Sequence, residues 1–300
     1  MARALRPKDR DQVGARLLEA SVRNTYDPHL DIDWAAPLAA DKAYMPLERV
    51  SLYGTALWER LTPAQRIELS KHEIASIASV GLWFEIILIQ LLVRYAYDLD
   101  PRSPHAQYAL TEVGDETRHS IMFAKAIERF GVPNYGPGRL LHNLGRVYKT
   151  IAGGPSMFAS VLVAEEATDR LQRSTMDDPE MQPLIRMVNR IHVIEEARHV
   201  RYAREEVVRS TPKLNRAELE WHRVMTAATA IAVMDALVHP RVYRSVGIDP
   251  REGRAAALAN PHFRETRRWM VEKVIDFLTE TDMIGGPSKR LWRRAGLLRS

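Results

Sequence analysis

The sequence predicts an all-helical protein built around a bundle of four long helices. Three observations predict it. Apolar residues recur at helical spacing over long stretches, runs with a two-residue period are nearly absent, and helix start and stop signals fall in pairs around four segments.

The first core helix starts at Thr62-Pro63-Ala64-Gln65, where a capping box meets a first-turn proline, and runs to about Leu99, before Asp100-Pro101. The second opens at Ser103-Pro104 and runs to Phe130, closed by Gly131 and Pro133. A Gly- and Pro-rich connection with one short helix is expected between Gly131 and Pro155. The third should span about Ser156 to Ser174, and the fourth should start at Asp178-Pro179 and reach about Arg209 before Pro212. Two hairpins joined by a longer crossover are the connectivity of a ferritin-like four-helix bundle. Residues 1–60, punctuated by Pro7, Pro28, Pro37 and Pro46, read as a strap with short helices. Residues 61–210 form the core, and residues 211–300 add packing helices over Leu214 to Val238 and Pro261 to Glu280, all in one domain.

Composition narrows the chemistry. With no cysteine, disulfides, thiolate zinc sites, iron–sulfur clusters and cysteine nucleophiles are excluded, and imidazole and carboxylate remain as the strong metal ligands. The formal charge of +5 comes from scattered arginines and a terminal cluster of Lys289, Arg290, Arg293, Arg294 and Arg299, read as a solvated basic tail, with an anionic partner or substrate as the alternative. Nothing points to nucleic acid, and arginines without an apolar stretch behind them make no secretory leader, so a cytoplasmic location is expected. Residues Ile74 to Val93 are greasy enough to imitate a membrane span. Glu85 at their middle would cost about 2.5 to 3.5 kcal/mol in a bilayer, which favours a buried core helix.

That glutamate belongs to a pattern. The second helix carries Asp115-Glu116-Thr117-Arg118-His119 and the fourth Glu195-Glu196-Ala197-Arg198-His199, so each places Glu and His one turn apart on one face. Glu85 lies 31 residues before Glu116 and Glu165 lies 31 before Glu196, so the whole set repeats at an offset of 80. Four carboxylates meeting in a bundle core would repel one another and lose their hydration, which only cations can offset. Two ions bridged by carboxylates, each completed by an imidazole, suit iron or manganese, and a redox role favours iron. Asp115 and Glu195 can cross the bundle to accept the free ring N–H of the opposite histidine, with Arg118 and Arg198 balancing charge. The alternative is a set of surface ion pairs. His192, one turn before Glu196, is by composition a core residue or a ligand, and its counterpart at the offset is Glu112.

These residues resemble the AurF-like p-aminobenzoate N-oxygenases, a branch of the ferritin-like diiron oxygenases. The resemblance runs from Leu61 to Arg209. It rests on Trp-Phe-Glu at 83–85, Asp-Glu-Thr-Arg-His at 115–119, Glu165, and the H-x-x-x-E-x-x-H of His192, Glu196 and His199. It implies that His192 is a third imidazole ligand, so that Glu85, Glu116, His119, Glu165, His192, Glu196 and His199 hold two iron ions, with manganese in one or both positions as the alternative. It implies O2 activation through a peroxo-diiron intermediate, oxygen transfer to an arylamine nitrogen, an external reductase or ferredoxin, and a homodimer. Arg94, Arg241 and the terminal cluster are candidates for binding a substrate carboxylate.

Two further readings use the same scaffold. One is a hydroxylase or desaturase of an aliphatic or carrier-bound chain, with Ile77, Leu82, Ile86, Ile89 and Val93 lining a channel. The other is a non-enzymatic iron-binding protein, which the large additions around the bundle disfavour as a storage cage. His29, His72, His105, His142, His222, His239 and His262 have no partners at ligand spacing, and Asp235 is a candidate second neighbour of the metals.

Overall fold

The computed structural model describes residues 6–299, so the residues before Arg6, on which part of the leader argument rests, lie outside the described residues. Among the described residues there are helices and no strands, apart from an isolated bridge between Ala43 and Met181.

Helix α1 spans Arg10–Arg23 and α2 is one turn, Ala56–Glu59. The four core helices are α3, Pro63–Tyr97; α4, Pro104–Phe130; α6, Gly154–Met176; and α7, Pro183–Ser210. Helix α5, Gly138–Ile151, lies in the crossover, and α8 (Arg216–Ala236), α9 (Pro250–Ala259), α10 (Pro261–Glu280) and α11 (Lys289–Arg294) follow. The pairs α3 with α4 and α6 with α7 make the two hairpins. The fold is therefore the expected bundle with additions at both ends.

Start signals act as the sequence implies. Thr62 Oγ1 accepts from the Gln65 N–H at 3.3 Å while the Gln65 side chain accepts from the Thr62 N–H at 3.0 Å. From this box α3 runs 35 residues, about 52 Å at 1.5 Å per residue, the full height of the bundle. It is the one described helix long and apolar enough to cross a membrane, but half of its most apolar window is buried inside the protein, against α4 and the rest of the core. Ser103 caps α4 and Gly131 ends it in the left-handed region.

The fourth core helix starts later than Asp178-Pro179. Asp178 turns back on itself through the Glu180 N–H, and Gln182 is engaged by the strap. Its backbone N–H donates to Ala43 O at 2.8 Å, and its side chain both accepts from and donates to the backbone of Ala39. Residues 178–181 close a turn through the Met181 N–H to the Asp178 carbonyl at 3.1 Å, the strap holds Gln182, and Pro183 takes the first helical position.

Two glycines record close approaches. A Cβ at Gly14 would lie 2.7 Å from the backbone of Pro104 and His105, so α1 seats on the start of α4. A Cβ at Gly145 would lie 2.5 Å from the Trp83 ring, so α5 lies flat on α3. At the other end, Asn260 caps α10 and also donates to the carbonyls of Ser51 and Tyr53, fastening the strap to the C-terminal helices.

Candidate metal centre

The helical spacing of each Glu-x-x-His, combined with the facing of the two hairpins, brings all seven candidate ligands into one buried cluster. Ligand-type atoms lie within 4.8 Å of one another in three overlapping groups: Glu116, His119, Glu196 and His199; Glu85, His119 and His192; and Glu165, His192 and Glu196. Every one of them is at most 5% exposed. Glu85 comes from α3, Glu116 and His119 from α4, Glu165 from α6, and His192, Glu196 and His199 from α7.

The ring orientations are set from behind. His119 Nε2 lies 2.9 Å from Glu195 Oε2, and His199 Nε2 lies 3.1 Å from Asp115 Oδ2, each bond crossing between α4 and α7. A carboxylate acceptor holds a proton on Nε2 and turns Nδ1 of each ring inward, where it donates to the glutamates while the ring is charged and would offer its lone pair to a metal once it is neutral. Nδ1 of His119 stands 3.0 Å from Glu116 and 3.3 Å from Glu196; Nδ1 of His199 stands 2.9 Å and 3.0 Å from the same two carboxylates. His192 is reversed. Its Nδ1 lies 2.8 Å from Gln172 Oε1, so it is Nε2 that faces Glu85 at 3.4 Å, Glu196 at 3.7 Å and Glu165 at 4.0 Å.

Behind these acceptors sit the arginines. Arg198 reaches Asp115 at 3.1 Å and Glu195 at 3.5 Å, and Arg118 bonds Asp115. The strap closes the shell: the Tyr26 N–H donates to Glu195 Oε1 at 3.3 Å, and Arg198 donates to the Asn24 carbonyl at 3.1 Å. The two outer acids are thus matched by two guanidinium groups, leaving the four inner glutamates to be balanced from within.

The inner electrostatics are those of a cation site. Burial, reinforced by the neighbouring carboxylates, pushes Glu85 and Glu165 well above the usual carboxylate range. Burial acts the same way on Glu116 and Glu196, but the charge of His199 and hydrogen bonds from His119 and His199 outweigh it and hold both below that range. Burial would lower His119 and His199, yet the surrounding glutamates raise both. His192 is driven down to about 4 by burial and is neutral, as a ligand imidazole must be. Glu85 Oε2 and Glu196 Oε2 are buried and make no hydrogen bond. Four carboxylates, three inward-facing imidazole nitrogens and free carboxylate oxygens fit two divalent cations, whose charge would cancel that of the glutamates.

Gln172 is the feature that the sequence reading missed, and other positions differ from that reading. Gln172 lies seven residues after Glu165, two turns on along the same face, which is the signal that could have revealed it. Glu112 is fully buried beside the cluster, raised to about 8 by burial against the opposing charge of His199, although it belongs to none of the three groups. Conversely, Asp235 is no neighbour of the cluster: it pairs with Arg267 at 2.7 Å and is half exposed. The stripe from Ile77 to Val93 does not line one channel either, since Ile86 and Val93 are 46% and 48% exposed and only Ile77 borders the cavity beside the glutamates. His72 bonds Glu68 and Tyr135, and His105 bonds Tyr95 and Tyr202.

Comparison with known proteins agrees with this architecture. The uncharacterized proteins Rv0885 of Mycobacterium tuberculosis and Mb0909 of Mycobacterium bovis are each 29% identical over 290 residues, covering 93% of this chain and 85% of theirs. Among solved structures, a variant of an R2-like ligand-binding oxidase with an aerobically reconstituted Mn/Fe cofactor shares the fold. Its TM-score is 0.50 at 12% identity, covering 87% of this chain and 93% of that one. The family described as P-aminobenzoate N-oxygenase AurF matches residues 7–282. Matched over nearly its whole length, the chain belongs to the AurF family.

Proposed function

We propose that this protein is a dimetal oxygenase in which Glu85, Glu116, His119, Glu165, His192, Glu196 and His199 hold two iron ions, or manganese in one or both positions, and that it oxygenates the nitrogen of an arylamine. The observation that carries the reading is the third imidazole: His192 turns Nε2 toward Glu85, Glu165 and Glu196 while Gln172 fixes its other nitrogen. Membership of the AurF family supports the choice of nitrogen over carbon.

Reduced metal ions, when bound, supply electrons to dioxygen and the open positions at which it and the substrate meet. The residues of the chain do the rest. Glu195 and Asp115 keep the protons of His119 and His199 on Nε2, and Gln172 keeps that of His192 on Nδ1, so each ring presents a fixed donor nitrogen. Phe84, Phe123, Val188 and Leu237 wall the cavity beside Glu85, Glu165 and His192 and exclude bulk water from it. The first oxygenation consumes the amine, O2, two electrons and two protons and yields the hydroxylamine and water. The electrons must come from a separate reductase or ferredoxin. A homodimer working in the cytoplasm completes the reading, on the strength of the family likeness and the cysteine-free composition.

The test is anaerobic loading with ferrous iron, metal analysis, and exposure to O2 with an arylamine and a reductant. Two metals per chain and hydroxylamine or nitro products are expected; an iron-loaded protein silent toward oxygen refutes the reading. The aliphatic walls, including Ile74, Ile77 and Val80, favour one second reading, hydroxylation or desaturation of an aliphatic chain. Product analysis with both substrate types separates the two.

A further inference from the structure

The cavity beside the cluster is small and enclosed, about 40 Å³, and it is bordered by Phe84, Glu85, Phe123, Glu165, Gln172 and His192. At about 10 to 15 Å³ per water it holds a few waters or dioxygen, but not an aryl ring. A second hollow of about 240 Å³ opens at the surface between α3, α5 and α8, lined by Trp83, Phe84, Leu144, Tyr148, Met225 and Ala232. Between them lies a constriction of about 10 Å³ bordered by Phe84, Ile87, Tyr148, Ser160 and Glu165. Phe84 borders all three spaces, Tyr148 and Ile87 the outer two, and Glu165 the inner two. The three spaces therefore adjoin in series between solvent and the cluster, with Phe84 and Tyr148 standing between them.

The chemistry of its walls is one-sided. Among the described residues no lysine or arginine borders any of the three spaces, and the only titratable groups there besides Tyr148 are Glu85, Glu165 and His192 at the inner end. Of the arginines considered for a substrate carboxylate, Arg94 donates to the carbonyls of Lys149 and Thr150 at the end of α5, at 2.6 Å each, and Arg241 lies over the Tyr135 ring. The terminal basic cluster borders a different hollow, with Trp269 and Glu272. At the constriction, the buried hydroxyl of Tyr148 lies next to those of Ser160 and Thr229, and the Tyr148 and Ser160 hydroxyls meet no partner in full hydrogen-bond geometry. Neighbouring hydroxyls between an apolar outer hollow and the cluster are a place for one uncharged polar group in transit.

The geometry points to an apolar access route beneath α5, gated by Phe84 and Tyr148, that admits an uncharged apolar substrate and turns away one bearing a carboxylate. The inference rests on the oxygenase reading for what happens at the inner end, but the route itself does not depend on which atom is oxidised. A carboxylate would shed its water with no cation to receive it and would approach two glutamates. An alkyl-substituted aromatic amine would lose only apolar surface from water.

The experiment is calorimetric binding to the metal-loaded protein, comparing para-butylaniline with para-aminobenzoate, in the wild type and in Ala228→Trp. Ala228 borders the outer hollow from the exposed side of α8, away from the cluster. The neutral amine is expected to bind at least about ten-fold more tightly than the anion, and Ala228→Trp to weaken it at least about ten-fold with metal content unchanged. Phe84→Ala, read by stopped-flow, should speed association of the same amine about ten-fold. Equal binding of the anion, or indifference to both substitutions, overturns the route. If the neutral amine binds, is blocked by Ala228→Trp and is never oxidised at nitrogen, the route stands and the N-oxygenase reading falls. If para-aminobenzoate binds equally well and is oxidised, the reverse holds.

Discussion

His192 differs from the other two imidazoles of the cluster in the nitrogen it turns inward, and the difference traces to one amide. Gln172 accepts from Nδ1, where Glu195 and Asp115 accept from Nε2 of His119 and His199. Gln172→Leu leaves the ring without that anchor, and metal affinity measured by chelator competition should fall about ten- to a hundred-fold. Unaltered affinity in a folded variant would mean that packing alone orients His192. A second buried carboxyl, Glu73, lies away from the cluster and accepts from the Ser51 N–H at 3.0 Å and the Ser51 hydroxyl at 2.5 Å. Burial raises it to about 7 against those bonds. Its folded value exceeds its unfolded one, so its contribution to stability is complete below about pH 4.5 and is lost as pH rises through 7, about 3 kcal/mol in all. Glu73→Gln cannot titrate but can still pair with Ser51. Its melting temperature should therefore gain on the wild type between pH 5 and pH 8, and parallel curves would contradict this.

At the scale of elements, the starts and stops carried by local signals appear where the sequence puts them. The capping box at Thr62, the Ser103-Pro104 start, the Gly131 stop and the α10 span from Pro261 to Glu280 depend on neighbours within one turn. The start of α7 does not. Asp178-Pro179 is a sound local signal, overridden because Gln182 spends its hydrogen bonds on Ala39 and Ala43 of the strap, about 140 residues away in sequence. The seating of α5 is also a tertiary matter. Gly145→Ala would raise helix propensity by about 1 kcal/mol, but its methyl group would meet Trp83 at 2.5 Å and Ile87 at 3.0 Å. Overpacking should win by about 1 to 3 kcal/mol, read as a lower urea midpoint at unchanged slope. A higher midpoint would show that α5 rides loosely on α3.

For the whole molecule, the cluster joins stability to metal. Four buried glutamates from four helices repel one another unless balanced, so cations that bind the folded chain and not the unfolded one stabilise it by mass action. At free metal about a hundred-fold above the dissociation constant the gain is about 2.7 kcal/mol, and calorimetric melting with and without chelator should differ by several degrees. Coincident melts would leave protons as sufficient counter-charge. The additions around the bundle are tied into the same centre: Tyr26 and Asn24 of the strap touch Glu195 and Arg198, and Arg10 of α1 pairs with buried Glu206 of α7 at 2.6 Å. The strap thus holds Glu195 and Arg198 behind the histidines, and α1 is fastened to α7 beyond them.

By itself the sequence determined the helical class, the pairing of hairpins and the repeated Glu and Glu-x-x-His positions. Each is written in spacings of three, four and seven residues that a helix converts directly into one face. Only the tertiary structure decided which nitrogen of each histidine faces inward, that Gln172 and the strap backbone complete the surroundings, that Asp235 turns to Arg267, and that no described lysine or arginine borders the cavity beside the cluster. Those outcomes depend on contacts between residues distant along the chain, and hydrogen-bond geometry across a packed core leaves no period in the sequence.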